Sequence, residues 1–249
     1  MRIDVVTLFP EMVLQAVAHS MVKRAQEAGA LEIGVRDPRE FTSDRHRTVD
    51  DEPYGGGAGM VMKVEPVAAA VEACEQAAGE EAHVVLTEPQ GRRLTQADVH
   101  RLASEPYLII LCGHYEGIDQ RIAEHVADEC LSIGDFVLTG GELPALVIID
   151  AVARLQAGVL GSESSLTQDS FEGGLLGYPQ YTRPEEYRGW RVPEVLLSGH
   201  HGAISRWRRA QQLLRTRSER PDLFARAPIT ESDVALLAET LRSKADDTG

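Results

Sequence analysis

Most of the chemistry this sequence could perform lies in two glycine-rich stretches, Cys112-Gly-His-Tyr-Glu-Gly-Ile-Asp119 and Leu131-Ser-Ile-Gly-Asp-Phe-Val-Leu-Thr-Gly-Gly-Glu-Leu-Pro144. Each opens at the end of an apolar run that reads as a strand, and the second feeds a long apolar helix. Glycines this dense let a backbone approach a ligand closely and adopt dihedrals that a Cβ forbids. Paired loops at the ends of neighbouring strands are where an open α/β sheet commonly holds a small ligand. Glu116 in the first loop and Asp135 in the second either organise their turns, as acidic residues often do, or complement a cation such as a sulfonium. Residue type alone leaves both open.

Asp169, in Thr167-Gln-Asp-Ser-Phe171, is either a solvated loop residue or, where the loop closes over a ligand, a general base. Asp44-Arg-His-Arg47, with Asp50 and Asp51, sets charges of both signs before Pro53-Tyr-Gly-Gly-Gly-Ala-Gly59. That cluster is either a solvated loop or a place where an aspartate accepts from the N1–H and amino group of a guanine. The glycine run after it lacks the Gly-Lys-Ser/Thr of a Walker loop and the strand-then-helix setting of a dinucleotide fingerprint, so it reads first as a flexible turn. The histidines and cysteines show no metal-ligand spacing, which argues against zinc.

These groups must be positioned by the elements between them. Strands are expected over 2–8, 31–35, 83–86, 107–112 and 129–133, and helices over 10–28, 65–78, 118–126 and 142–156. Thr95 with Asp98 resembles a capping box for a further short helix. The alternation argues for a mainly parallel sheet with helices packed on it. Tyr107–Cys112 is continuously apolar, as a strand covered on both faces is. The 142–156 helix is apolar on nearly every face, so it must be buried within the domain or against a second subunit, and Asp150 and Arg154 share one side of it. Gly158–Gly177 reads as a linker or mobile loop. Helices over 204–216 and 231–241 follow, the last capped by Thr230 with Asp233.

A net charge of −14 over 249 residues argues at first against nucleic acid. Between Tyr181 and Pro221, however, nine arginines face four glutamates, 9 − 4 = +5, which is either a solvated helix face or a patch that steers a polyanion. No apolar run of about 18 residues suggests a membrane span, and no signal core opens the chain. Three cysteines without pairing logic fit thiols in a reducing cytoplasm.

Taken in series, Asp44-Arg-His-Arg-Thr-Val-Asp-Asp51, Pro53-Tyr-Gly-Gly-Gly57, Gly113-His-Tyr-Glu-Gly-Ile-Asp119, Ser132-Ile-Gly-Asp-Phe136, Gly140-Gly-Glu-Leu-Pro144, Asp169-Ser170, Tyr181-Thr-Arg-Pro184 and Pro193-Glu-Val-Leu-Leu-Ser-Gly199 closely resemble the bacterial tRNA (guanine-N1)-methyltransferase family, nearly end to end and in order. The resemblance implies an α/β domain of the SPOUT type over residues 1–160, with a mainly parallel sheet and a deep trefoil knot. A flexible linker over 161–176 and a small all-α, tRNA-binding domain over 177–249 would follow. It also implies a homodimer with active sites at the subunit interface. The methyl donor would be S-adenosyl-L-methionine, contacted by Leu86, Thr87, Glu88, Pro89, Gly113, Tyr115, Gly117, Ser132, Ile133, Gly134, Asp135, Phe136, Val137, Leu138, Gly140, Gly141 and Pro144. Asp50, Tyr54, Gly55 and Ser170 would contact the substrate. Asp169 would take the proton from guanine N1, Arg154 would stabilise charge on O6, and Glu116 would assist near the sulfonium or near Mg²⁺, with which the family is associated. The target would be the guanine at position 37 of tRNA, beside the anticodon. Two residues depart from the family pattern: His114 stands where arginine is frequent and Phe136 where tyrosine is. The rival readings are a SPOUT methyltransferase acting on a ribose 2′-oxygen, a non-enzymatic RNA-binding module, which leaves the glycine loops unexplained, and a nicotinamide-dependent oxidoreductase, which lacks its fingerprint.

Overall fold

A computed structural model describes residues 1–159 and 169–246, and the chain divides into two units, Met1–Gly161 and Ser162–Gly249. In the first unit β1 (Arg2–Val6), β2 (Glu32–Arg36), β5 (His83–Arg93), β6 (Tyr107–Cys112) and β7 (Glu129–Ser132) form a wholly parallel sheet in the order β2-β1-β6-β5-β7. A separate ribbon pairs β3 (Asp50–Asp51) with β4 (Val61–Met62) in antiparallel fashion. The centre of the sheet is β6. Every residue of Tyr-Leu-Ile-Ile-Leu-Cys is buried, so the strand has no polar face to show. Its alternate side chains feed two apolar layers. Leu108, Ile110 and Cys112 pack with α1 (Pro10–Val17), α2 (Ser20–Glu27), α4 (Gln96–Ala103) and α6 (Glu142–Ala153). Tyr107, Ile109 and Leu111 pack with α3 (Val64–Ala78) and α5 (Gln120–His125).

The expected capping box on α4 is present, with Thr95 and Asp98 bonded reciprocally. Two expectations need correction. The single helix over 10–28 is two helices, broken before Ser20, whose φ is +53°. The Gln26 amide donates to the Val17 carbonyl at 2.9 Å, which satisfies an acceptor left over at the break. The strand expected to stop at Leu86 runs on to Arg93, because the ladder to β7 slips between Thr87 and Arg92 and lets Glu88-Pro-Gln-Gly91 bulge out. A proline cannot donate to a ladder, so it sits where the ladder is interrupted.

The second unit contains α7 (Glu194–Leu197), α8 (His201–Glu219), α9 (Pro221–Phe224) and α10 (Glu231–Asp246). It also holds a small hairpin, β8 (Glu186–Tyr187) with β9 (Trp190–Arg191), so the expectation of an all-α region is corrected. The turn, Arg188-Gly189, has positive φ at both residues, which suits the twist of a two-residue hairpin loop. Of the linker expected over 161–176, residues 161–168 lie outside the described residues. Beyond them Leu175 is buried, and the Leu176 N–H donates to Thr216 Oγ1 at 2.9 Å.

Asp233 joins the two long helices of this unit. It completes a cap with Thr230 at the start of α10 and accepts a forked pair of bonds from Arg209 at 2.7 and 2.8 Å. The Arg209 guanidinium holds its carboxyl far below the usual carboxylate range. The unfolded chain therefore takes up the proton first as pH falls. The stabilisation is complete above the ordinary aspartate pKa of about 3.9 and is lost progressively below it. Asp233→Asn is expected to destabilise this unit by about 2–4 kcal/mol at neutral pH and to reduce the acid sensitivity of its unfolding, as read by denaturant melts at pH 7 and pH 3.

Candidate active site

Beyond the carboxyl ends of β6 and β7 the chain enters its two glycine loops, and beside them lies the Glu88–Gly91 bulge of β5. These segments enclose a cavity of about 460 Å³, within the range of small-molecule sites. All the residues expected to contact a methyl donor line it except Asp135. Sequence reasoning did not single out Gln90, Ile118, Gln120, Leu131 and Thr139, which line it as well.

The loops hold one another through their backbones. The Gly141 N–H donates to the Gly113 carbonyl at 2.9 Å, and the Thr87 hydroxyl is shared between the Leu111 carbonyl at 2.9 Å and the Gly141 carbonyl at 3.3 Å. A Cβ at position 141 would come within 2.7 Å of Cys112 Cα and 3.0 Å of the Gly113 nitrogen, and one at position 140 would run into the His114 and Glu142 side chains. These two glycines thus allow loop to meet loop, a different duty from the approach to a ligand that their density suggests. Cys112, on the same seam, has its thiol pushed well up by burial and stays protonated at neutral pH.

Behind the wall sits Glu142, 2% exposed, in the first turn of α6. Thr7 Oγ1 donates to it at 2.6 Å, and His114 Nε2 lies 2.9 Å from its other oxygen. A helix N-terminus favours a carboxylate, and a buried one needs such partners. The His114 ring, tilted over Phe9 at 4.7 Å, lines the cavity, so the departure from arginine still supplies a nitrogen facing this carboxylate. The one mark of Glu142 in the sequence is that it is an acid opening an otherwise apolar helix.

The first loop is also stitched to the β3–β4 ribbon. Glu116 N–H donates to the Met60 carbonyl and Met62 N–H to the Gly117 carbonyl, both at 2.9 Å. The Glu116 side chain lies so close over Gly59 that any Cβ there would meet it. Asp50, Tyr54 and Gly55 therefore belong to the element that adjoins the loop, with Tyr54 wholly exposed and Gly55 at φ +88°. Tyr115 also has a positive φ, +62°, a strained setting for a residue with a Cβ. Phe136 and Val137 stand half or more exposed on the cavity's rim.

Of the residues expected to act in catalysis, Glu116 lines the cavity. Arg154 ends α6, its N–H bonded to the Asp150 carbonyl at 3.2 Å, and is not among the lining residues. Asp169 and Ser170 belong to the second unit, where Ser170 Oγ accepts from the Gly177 N–H at 2.8 Å. Asp119, at the end of the first loop, caps α5 and is held at a pKa of about 2 by the forked Arg121 contact.

Residues 1–226 match the model of the family described as tRNA (Guanine-1)-methyltransferase TrmD. The tRNA (guanine-N(1)-)-methyltransferase of Chloroflexus aurantiacus is 56% identical over 243 residues, covering 96% of both chains. Those of Gloeobacter violaceus and Pelotomaculum thermopropionicum are 55% identical over 90% of this chain and 98% of the relative, and 53% identical over 98% and 97%. With a family match that takes in both glycine loops and most of the second unit, and with relatives this similar over nearly their whole length, the chain belongs to the tRNA (guanine-1)-methyltransferase family.

Proposed function

We propose that the protein is a tRNA (guanine-N1)-methyltransferase that moves the methyl group of S-adenosyl-L-methionine to N1 of the guanine at position 37, next to the anticodon. The observation that carries this is a walled cavity at the two glycine loops of a chain matched nearly end to end by proteins of that name. The residues present suit such a donor. A Cβ at Gly117 would project into open space, Leu138 and Pro144 offer apolar surface, and the Glu116 carboxylate lines the wall where a sulfonium can be complemented. The donor supplies an electrophilic methyl group on a positively charged sulfur.

The protein's share of the work follows from the acceptor. Guanine N1 carries a proton and shares its lone pair with the ring, so it is a poor nucleophile until deprotonated. Asp169 accepts that proton, and Arg154 offsets the negative charge that gathers on O6. The remaining gain comes from holding the two reactants in line. Among the described residues no three His, Cys, Asp or Glu side chains are grouped so as to hold a metal ion; a magnesium ion held by one carboxylate and the substrate would meet Glu116 at the cavity wall.

The wider reading is a homodimer with active sites at the subunit interface. Leu143 and Val147, four apart on α6 and about half exposed, offer apolar surface that a second copy would cover, as do Phe136 and Val137. The family match supports a SPOUT-type domain spanning 1–160 with a deep trefoil knot, and the arginine-rich stretch after Tyr181 supports tRNA binding by residues 177–249. Work on tRNA and three free cysteines are in keeping with the cytoplasm, and among the described residues no helix is long and apolar enough to cross a membrane.

The direct test is methyl transfer from labelled S-adenosyl-L-methionine to a tRNA transcript with guanine at position 37, followed by nucleoside analysis. N1-methylguanosine that disappears when position 37 is changed to adenine is the expected result. Label in a ribose, or none in any nucleoside, would overturn the reading.

A further inference from the structure

We infer that the second unit carries a nucleotide pocket of its own, which receives one unstacked nucleotide of the RNA. This rests on the tRNA reading above and adds a binding site to it. The pocket is a cavity of about 390 Å³ bounded by the Tyr178–Arg183 segment, α7 and the first half of α8. Val192, Leu196 and Ile204 give it apolar walls, while Arg183 and Arg208 outnumber the one acidic lining residue, Glu185.

Arg208 is the informative residue. Its guanidinium sits 4.7 Å from the centre of the Tyr178 ring, and its Nε is buried without a hydrogen-bond partner among the described residues. On a solvated face water would satisfy this donor, but its burial shuts water out, while two neighbours on α8 are paired. Arg206 has Glu239 and Arg209 has Asp233. A buried donor left unsatisfied is unfavourable, and an anionic oxygen entering the cavity would relieve it. Tyr181 adds the second half of a nucleotide site. It lines the cavity, is 49% exposed, and is backed by the Trp207 ring at 6.3 Å. A half-open aromatic face beside guanidinium groups is how single-stranded nucleic acid is held without regard to sequence, with the base stacked on the ring and the phosphate on the arginines.

The test uses the full-length protein and a fluorescent tRNA transcript with guanine at position 37, with binding read by anisotropy over a range of salt. Arg208→Gln and Tyr181→Ala should each raise Kd about tenfold, and Arg208→Gln should lower the salt slope by about one. Arg24→Gln, exposed on α2 of the first unit and outside the arginine-rich stretch, should change Kd less than threefold. S-adenosyl-L-methionine affinity should stay as in the wild type throughout. Should Arg208→Gln melt early, Tyr181→Ala decides the matter. Guanosine 5′-monophosphate alone, titrated into labelled protein, should shift amide resonances between Tyr178 and Arg208. Unchanged tRNA affinity in a Tyr181→Ala variant of normal melting temperature, or an absence of those shifts, would overturn the pocket. A wild-type protein that failed to bind tRNA but still showed the shifts would overturn the tRNA reading and leave the pocket standing.

Discussion

Replacing Asp169 with alanine should lower kcat/KM for tRNA methylation by a factor on the order of 10²–10⁴, the usual contribution of a positioned general base. The argument is chemical. Guanine N1 attacks a methyl group readily only as it gives up its proton, and Asp169 is the group assigned to take it. Donor binding asks nothing of this carboxylate, so S-adenosyl-L-methionine affinity measured by calorimetry should be unchanged. Asp169→Asn should behave like the alanine variant, because it keeps the shape and loses the proton acceptor. Activity within threefold of wild type in either variant would remove Asp169 from the reaction.

Gly141→Ala should damage the protein in a different way, by prising the two glycine loops apart. The new Cβ would be driven against Cys112 Cα and the Gly113 nitrogen, and backbone atoms cannot swing aside as a side-chain tip can. Relief requires lengthening the Gly141 N–H to Gly113 carbonyl bond and disturbing the Thr87 hydroxyl beside it. Overpacking with a weakened buried hydrogen bond costs about 2–4 kcal/mol. Because the same seam sets the cavity wall, donor affinity should fall at least tenfold as well. A variant with wild-type melting temperature and wild-type donor affinity would show that the seam is softer than its geometry implies.

Much of the first unit was legible from residue order because its signals are local. Continuous apolar runs marked β6 and its neighbours, and acceptors three residues apart marked the caps at Thr95 and Thr230. What escaped depends on partners far along the chain. Strand β5 outlives its proline because β7 waits on the other side of the bulge, and no window around Pro89 contains that fact. Glu142 is explained by Thr7, 135 residues earlier. The glycine loops announced themselves as a pair, but that they pack on each other more closely than any Cβ would permit emerges only in three dimensions. For Asp169 the residues leave a solvated loop acid and a general base both open, and Arg154 is placed only on one side of its helix with Asp150; the family resemblance supplies their roles.

The mutual grip of those loops sets limits on redesign. A socket whose sides brace each other along the main chain cannot be enlarged by trimming, since its tightest points have no side chain to trim. Attempts to admit a bulkier alkyl donor should begin at Phe136 and Val137, whose side chains project from the rim and can be shortened without touching the backbone contacts between the loops.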